Sequence, residues 1–321
     1  MVASSGSSAL PLGLIAGDGA LPGAIARAAR GAGRRVVAVA FVGITDSRLG
    51  QWADEVVGVE LGQLDAMLGA LADAGVAEAV LAGKVSKEHW LRPGGGVPVR
   101  PDARALELLS RLEDRRDDAL LGALAACLED AGIRLLSQAR LVPELLPGPG
   151  PLGRLAPSPE LWRDVACGWR AAKGIAGLDL GQTAVVREGA VVALEAVEGT
   201  DEAIRRGGRL GGAGATAVKV AKPAQDPRFD MPTIGTGTLG AAREAGLACL
   251  AFEAGATLVL DREALAEQAD RQGLALVGVP ATGPQASASA GGGGAAGGGD
   301  GDGVSGRADP TGDSGDSGET G

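Results

Sequence analysis

The fold of the first part of the chain is decided by the stretch L-G-L-I-A-G-D-G-A-L-P-G-A-I-A-R-A-A-R-G-A-G-R-R-V-V-A-V-A-F, residues 12–41. A short apolar run, Leu12–Ala16, is followed by a glycine-containing turn and an alanine-rich segment of helical character, Leu21–Ala32. A second run rich in valine, Arg35–Val42, completes the pattern. Parallel neighbouring strands need a long connection, usually a helix, so this order predicts a βαβ unit.

The same alternation continues beyond this unit. Apolar runs at Val56–Leu61 and Ala79–Leu81 are separated by a segment with leucines at helical spacing, and further helical segments follow. Strands alternating with helices are typical of a doubly wound α/β sheet. We therefore predict an α/β fold that begins with an N-terminal Rossmann-like parallel-sheet domain over residues 1–142.

Composition changes divide the rest of the chain into three parts. Residues 143–159 are rich in proline and are predicted to be a linker with extended backbone. Residues 160–284 are predicted to form a C-terminal mixed α/β catalytic domain, in which Glu188-Gly189 between two valine-rich runs indicates a β-hairpin. Residues 285–321 consist largely of Gly, Ser, Ala and Asp, which predicts a disordered tail.

Composition excludes several classes of function. The formal net charge is −10 and aromatic residues make up 2% of the chain, which argues against a nucleic-acid partner. His89 is the only histidine, so zinc sites with several histidines are excluded. The three cysteines are far apart, as expected for a reducing compartment. The N-terminus lacks the features of a signal peptide, so a cytoplasmic location is predicted.

Two segments of the first domain follow predicted strands and are candidates for ligand binding. Gly17 and Gly19 precede a predicted helix, whose N-terminus favours an anion or a nucleotide. A tight turn that needs glycine for its backbone angles explains the same residues. Lys84 and Ser86 follow the strand at Ala79–Leu81, at the edge where open α/β sheets bind ligands, although Ser86 also suits a helix cap.

The second domain contains a denser cluster of polar residues, K-V-A-K-P-A-Q-D-P-R-F-D-M-P-T-I-G, residues 219–235. Carboxylates in such a cluster suit Mg²⁺, which takes oxygen ligands together with substrate phosphates. Lysine and arginine beside them suit the charge of a diphosphate. A solvated loop with helix-capping residues is the alternative interpretation.

At this point the chain resembles a known family, the two-domain class of UDP-2,3-diacylglucosamine pyrophosphatases, which is distinct from the His-rich metallophosphoesterase class of the same pathway step. The resemblance extends from Leu12 to about Val279. It rests on L-I-A-G-D-G-A-L-P (14–22), L-A-G-K-V-S (81–86), R-D-D-A-L-L (116–121), L-D-L-G-Q (178–182), E-x-x-E-G-T-D (195–201) and the segment 219–235.

The resemblance implies Mg²⁺-dependent hydrolysis of UDP-2,3-diacylglucosamine to UMP and 2,3-diacylglucosamine 1-phosphate in lipid A biosynthesis, with peripheral contact with the inner membrane. Asp230 matches the essential carboxylate of the family. The expected catalytic residues are Asp230, Lys219, Lys222 and Arg228. The expected metal ligands are Asp230, Glu198 and Asp201. The expected substrate-binding residues are Gly17, Gly19, Lys84, Ser86, Gln182, Thr200 and Thr233.

Two other functions stay open from the residues alone. A nucleotide- or sugar-nucleotide-binding regulatory protein without turnover would also use a glycine-rich first turn. An NAD-dependent oxidoreductase would use the same turn as part of a dinucleotide fingerprint, but Pro22 occupies the place of the third glycine.

Overall fold

The first part of the chain folds around a five-stranded sheet in which all strands are parallel. The computed structural model describes residues 10–85, 97–112, 117–223, 226–229 and 231–284. The strand order is β3-β2-β1-β4-β5. The strands are β1 (Leu12–Ala16), β2 (Val36–Phe41), β3 (Glu55–Val59), β4 (Glu78–Ala82) and β5 (Arg134–Leu135). The prediction of a parallel α/β sheet is confirmed.

Helices cover both faces of this sheet, so its central strand β1 is buried along its whole length. The helices are α1 (Leu21–Gly31), α2 (Leu64–Asp73), α3 (Ala103–Ser110), α4 (Asp117–Asp130) and α5 (Gln138–Leu141). Side chains alternate between the two faces along a strand. Leu12 and Leu14 accordingly pack with Ile25 of α1, whereas Ile15 packs with Leu71 of α2.

A six-stranded mixed sheet forms the second part of the chain, as predicted. Its strand order is β6-β13-β11-β9-β7-β8, with β9, β11 and β13 parallel to one another. The strands are β6 (Gly150–Pro151), β7 (Thr183–Arg187), β8 (Ala190–Leu194), β9 (Thr216–Lys219), β11 (Cys249–Glu253) and β13 (Ala275–Val279). The helices are α6 (Pro159–Gly177), α7 (Thr200–Gly211), α8 (Thr236–Glu244) and α9 (Arg262–Gln272).

The predicted hairpin is present between β7 and β8, which pair antiparallel. Glu188 and Gly189 have φ angles of 50° and 80°. Positive φ at both central residues is typical of the two-residue turn whose twist matches that of the flanking strands. This local signal in the sequence therefore positions β8 correctly.

The proline-rich segment 143–159 contributes to the second sheet. Gly150 and Pro151 form β6, which pairs antiparallel with β13 at the edge of the sheet. Pro147 accepts a backbone hydrogen bond from Gly255. The predicted disordered tail, residues 285–321, lies outside the described residues.

Side chains from the second part of the chain complete the cores of the first part. A small parallel sheet is formed by β10 (Thr233–Ile234) and β12 (Leu258–Val259). Leu258 and Leu260 are buried in the cluster that contains Leu14 and Ile25, and Phe229 is buried in the cluster on the opposite face. Both sheets thus belong to one compact unit, in which Phe229, Leu258 and Leu260 pack against the first sheet.

Helix α6 crosses the second sheet at a glycine, which allows a test of this packing. A Cβ atom at Gly168 would lie 2.6 Å from Cγ2 of Val218 in β9, whereas Gly174 on the same helix has no atom within 4 Å of its Cβ position. We expect Gly168→Ala to lower the free energy of unfolding by about 1–3 kcal/mol through overpacking. The matched Gly174→Ala should raise it by about 0.5–1 kcal/mol, because alanine favours a helix.

Urea denaturation of the two variants measures both effects. Equal stability of Gly168→Ala and Gly174→Ala would contradict the close contact between α6 and β9.

Candidate functional site

The predicted Gly17 turn and the predicted Lys84 segment are joined by backbone hydrogen bonds. Asp18 N–H donates to the carbonyl of Lys84 (2.8 Å), and Lys84 N–H donates to the carbonyl of Asp18 (2.9 Å). A Cβ atom at Gly17 would lie 2.7 Å from this Lys84 carbonyl oxygen. Glycine is therefore required at position 17 by the close approach of the two segments. Gly19 follows with a φ of 96°, which favours glycine.

A cavity of about 250 Å³ opens beside this turn and is lined from both parts of the chain. We name it the Gly17 cavity. The first part supplies Gly17, Gly19, Ala20, Pro22, Gly23, Arg27, Thr45, Asp46, Arg48, Leu49 and Trp52, and the second part supplies Thr236 and Asp261. Because α1 and α8 both begin at this cavity, their N-terminal N–H groups favour a bound anion.

Lys84 reaches from the first sheet to the N-terminus of α7. Its Nζ lies only 2.7 Å from the place that a Cβ atom on Gly199 would occupy, and Gly199 is the N-cap residue with a φ of 82°. Thr238 in the first turn of α8 donates a hydrogen bond to Oδ1 of Asp201 in the first turn of α7 (3.0 Å). The first turns of α7 and α8 are thus adjacent, with a lysine from the other part of the chain beside them.

A hydrogen-bonded chain of polar side chains, with buried residues at Lys219 and Glu195, supports this region. Lys219 Nζ donates to Thr200 Oγ1 (2.8 Å) and to the carbonyl of Thr233 (3.2 Å). Thr200 Oγ1 donates in turn to Glu195 Oε1 (3.0 Å), and Glu195 Oε2 accepts a long hydrogen bond from the backbone of Gln182 (3.4 Å). Lys219 and Glu195 are only 5% and 8% exposed. Lys219, Thr200, Thr233 and Gln182, all predicted from the sequence, are therefore brought together.

Lys222 and Arg228, the other two predicted phosphate-binding side chains, are held by carboxylates. Lys222 Nζ lies 2.6 Å from Oδ1 of Asp179. Arg228 donates to Asp226 (2.8 Å) and to Glu129 of α4 (2.7 Å). The hydrogen bond from Arg228 outweighs burial and holds the pKa of the Asp226 carboxyl below its ordinary value.

Glu198, a predicted metal ligand, forms an ion pair with Arg206, with 2.5 Å between Oε1 and Nη2. Burial raises the pKa of the Glu198 carboxyl, but hydrogen bonds from Arg206 and from backbone N–H groups outweigh this effect. The net result is a pKa below the ordinary value, so Glu198 is ionised at neutral pH.

The described residues of this region include carboxylates, which are suitable ligands for Mg²⁺. Too few of these carboxylates lie close together to hold the ion. Asp201 uses Oδ1 to accept from Thr238, and its Oδ2 lies beside Gly237. Within the described ranges, no three side chains of His, Cys, Asp or Glu lie close enough together to hold a metal ion. Asp230 and Ser86, predicted as a metal-binding catalytic residue and a substrate-binding residue, lie outside the described residues.

Family comparisons cover both parts of the chain. Residues 11–145 match the model of the LpxI N-terminal domain, and residues 148–277 match that of the LpxI C-terminal domain. The chain belongs to the LpxI family. The resemblance drawn from the sequence motifs is thereby confirmed.

A curated LpxI relative extends over almost the same length. The protein named UDP-2,3-diacylglucosamine pyrophosphatase LpxI of Caulobacter vibrioides is 37% identical over 279 residues, which cover 84% of this chain and 97% of the relative. A solved structure of the biotin carboxylase subunit of pyruvate carboxylase matches 56% of this chain and 35% of its own chain. The identity to that structure is 17% and the TM-score is 0.23, which is too low to indicate a shared fold.

Several residues of this LpxI-family site were absent from the sequence prediction. Glu195 and Asp179 lie within the motifs 195–201 and 178–182, so the motifs contained a signal for them. Trp52 and Asp261 of the Gly17 cavity lie outside every quoted motif. Only the folded chain brings them to the turn after β1.

The central position of Thr200 leads to a prediction. Thr200→Val keeps the shape of the side chain but removes the hydroxyl that accepts from Lys219 and donates to Glu195. We expect the free energy of unfolding to fall by about 1–2 kcal/mol, because buried polar groups lose hydrogen bonds. Thr200→Ser keeps the hydroxyl and should lose less than half as much.

Chemical denaturation of both variants is the measurement. A Thr200→Val protein as stable as the parent would contradict the hydrogen-bonded chain.

Proposed function

We propose that this protein hydrolyses the diphosphate of UDP-2,3-diacylglucosamine to UMP and 2,3-diacylglucosamine 1-phosphate in lipid A synthesis. The observation that carries the proposal is the 37% identity to a relative of that activity, 97% of which is covered by the match. The site geometry supports it, since Lys84 and Lys219 lie beside the N-terminus of α7, which is adjacent to the first turn of α8.

The positive groups suit a diphosphate. Hydrolysis requires water to attack a phosphorus atom that is surrounded by negative oxygens, and nearby positive charge stabilises the transition state. The N-termini of α1 and α8 would bind phosphate oxygens at the Gly17 cavity, and Lys84 would bind them beside the N-terminus of α7. Lys219, held in place by Thr200, would offset further charge. Lys222 and Arg228 remain proposed phosphate-binding residues.

Magnesium is part of this proposal. Asp230 together with Asp201 and Glu198 would hold the ion, and a bound Mg²⁺ would offset the charge of the phosphate oxygens. To bind the ion, Glu198 would have to share its carboxylate between Mg²⁺ and Arg206, with which it forms an ion pair.

Turnover with and without metal tests the reaction. Incubation with UDP-2,3-diacylglucosamine and Mg²⁺ should release UMP, detectable by mass spectrometry, and excess EDTA should abolish the release until Mg²⁺ is restored. Binding of a uridine nucleotide without any release of UMP would favour the regulatory alternative. Full activity in EDTA would remove the metal from the proposal.

Asp230 is the proposed catalytic carboxylate. We expect Asp230→Ala to lower kcat by at least about 10²-fold, the scale of one electrostatic catalytic group, while substrate binding is retained. Asp230→Asn, nearly the same in shape, should be almost as damaging because the charge is lost. The exposed Asp73 at the end of α2 supplies the control, since Asp73→Ala should keep the parent rate.

Steady-state kinetics and melting temperatures of the three variants are compared. A folded Asp230→Ala protein with close to the parent rate would remove Asp230 from the site.

We further propose a cytoplasmic protein in peripheral contact with the inner membrane, because the proposed substrate carries two acyl chains. Leu178, Leu180 and Val197 are more than half exposed and lie within the motifs that supply Gln182 and Thr200. Exposed apolar side chains of this kind suit contact with lipid. Within the described residues, no helix is long and apolar enough to cross a membrane.

A further inference from the structure

The peptide groups on either side of Ala221 are hydrogen-bonded to one ion pair. This ion pair joins Lys173 of α6 to Glu253 of β11. The backbone N–H of Ala221 donates to Oε2 of Glu253, the last residue of β11 (2.7 Å). Its carbonyl accepts from Nζ of Lys173 in α6 (2.9 Å). Lys173 Nζ and Glu253 Oε2 are themselves 2.7 Å apart. Backbone and ion pair together form a closed ring of hydrogen bonds, which we name the Ala221 clamp.

The clamp is largely shielded from water. The side chain of Glu253 is 6% exposed and that of Lys173 is 26% exposed. Hydrogen bonds to charged groups are stronger than neutral ones, and burial reduces competition from solvent. Taking two charges out of water is costly, however, and well-packed apolar residues often give equal stability in such places. The stability of the fold alone therefore does not explain why Lys173 and Glu253 occupy these positions.

The residues beside Ala221 are fixed as well. Val220 N–H donates to the carbonyl of Gln182 (3.0 Å). Lys222 is paired with Asp179, and both side chains are less than 10% exposed. Asp179 has a left-handed φ of 55°, and its Oδ2 is buried without a hydrogen-bond partner. A strained backbone angle and an unpaired buried acceptor both lower the stability of the fold. This indicates that the arrangement serves to fix the positions of Asp179 and Lys222.

Ala221 lies between two lysines of the candidate site. Lys219 ends β9 two residues earlier, and Lys222 is the next residue. A shift of the Ala221 peptide would move both lysine backbones. A displacement of about 1 Å in a catalytic arrangement can cost about 10²-fold in rate.

We propose that Lys173 and Glu253 are positioning residues, which hold the Ala221 peptide so that Lys219 and Lys222 meet the phosphate groups of the substrate. The inference rests on the proposed function. Neither residue belongs to the site predicted from the sequence, and each acts through the backbone of another residue.

Variants of the full chain test the role. Glu253→Ala and Lys173→Met each remove one side of the clamp, and kcat per folded molecule should fall about 10- to 100-fold with a smaller change in KM. The double variant should be no slower than the slower single variant, because the pair acts as a unit. Lys173→Arg keeps a charged donor and should recover most of the rate. Glu244→Gln breaks an exposed ion pair with Arg205 in the same part of the chain and serves as the control.

Amide exchange gives a readout that does not depend on turnover. The Ala221 N–H, followed by NMR, should exchange slowly in the parent and in Glu244→Gln, and faster in Glu253→Ala.

The outcomes separate the two proposals. A parent protein that releases no UMP would overturn the proposed function and the positioning role with it. An active parent whose clamp variants keep its kcat, or lose activity only in proportion to the unfolded fraction, would overturn the positioning role alone. Slowed kcat, rescue by Lys173→Arg and faster exchange at Ala221 would support it.

Discussion

The turn after β1 and the segment after β4 are tied together by the two backbone hydrogen bonds between Asp18 and Lys84. This pairing places the start of α1 beside the end of β4, at the carboxyl edge of the parallel sheet. It also directs the Lys84 side chain towards Gly199 at the start of α7. The position of Gly17 at the cavity and the contact of Lys84 with Gly199 both depend on it.

The candidate site contains buried lysines although the chain as a whole is acidic. The chain carries a formal net charge of −10, yet Lys84 and Lys219 both lie beside the N-terminus of α7. A buried lysine is tolerated only when it is paired or hydrogen-bonded. Glu195, reached through Thr200, and Asp179 provide this compensation for Lys219 and Lys222. Each of these buried lysines thus has a carboxylate close to it, which helps to fix its position in the fold.

Features encoded by neighbouring residues were predictable from the sequence. The βαβ unit follows from apolar runs around one helical segment, and the hairpin follows from Glu188-Gly189, because both depend on local backbone preferences. The structure also brings together Lys219, Thr200, Thr233 and Gln182, which the motifs had selected for different roles.

Contacts between distant residues were not predictable in the same way. Arg228 was expected to bind phosphate, but its guanidinium reaches Glu129, which lies 99 residues away in the chain. No spacing rule connects Lys173, Ala221 and Glu253, since α6, β11 and the end of β9 become neighbours only when the second sheet assembles. A sequence pattern records which side chains are available, while the sheet order decides which of them meet.

Leu258, Leu260 and Phe229 have a consequence for the order in which the chain is made. These side chains fill the cores on the two faces of the first sheet, but they are synthesised long after that sheet's own strands. During synthesis on the ribosome, part of the apolar surface of the first sheet therefore stays exposed until residues 229–260 have emerged. Such exposed intermediates attract chaperones and favour aggregation. We therefore expect the rate at which the second half of the chain is translated to affect the yield of correctly folded first sheet.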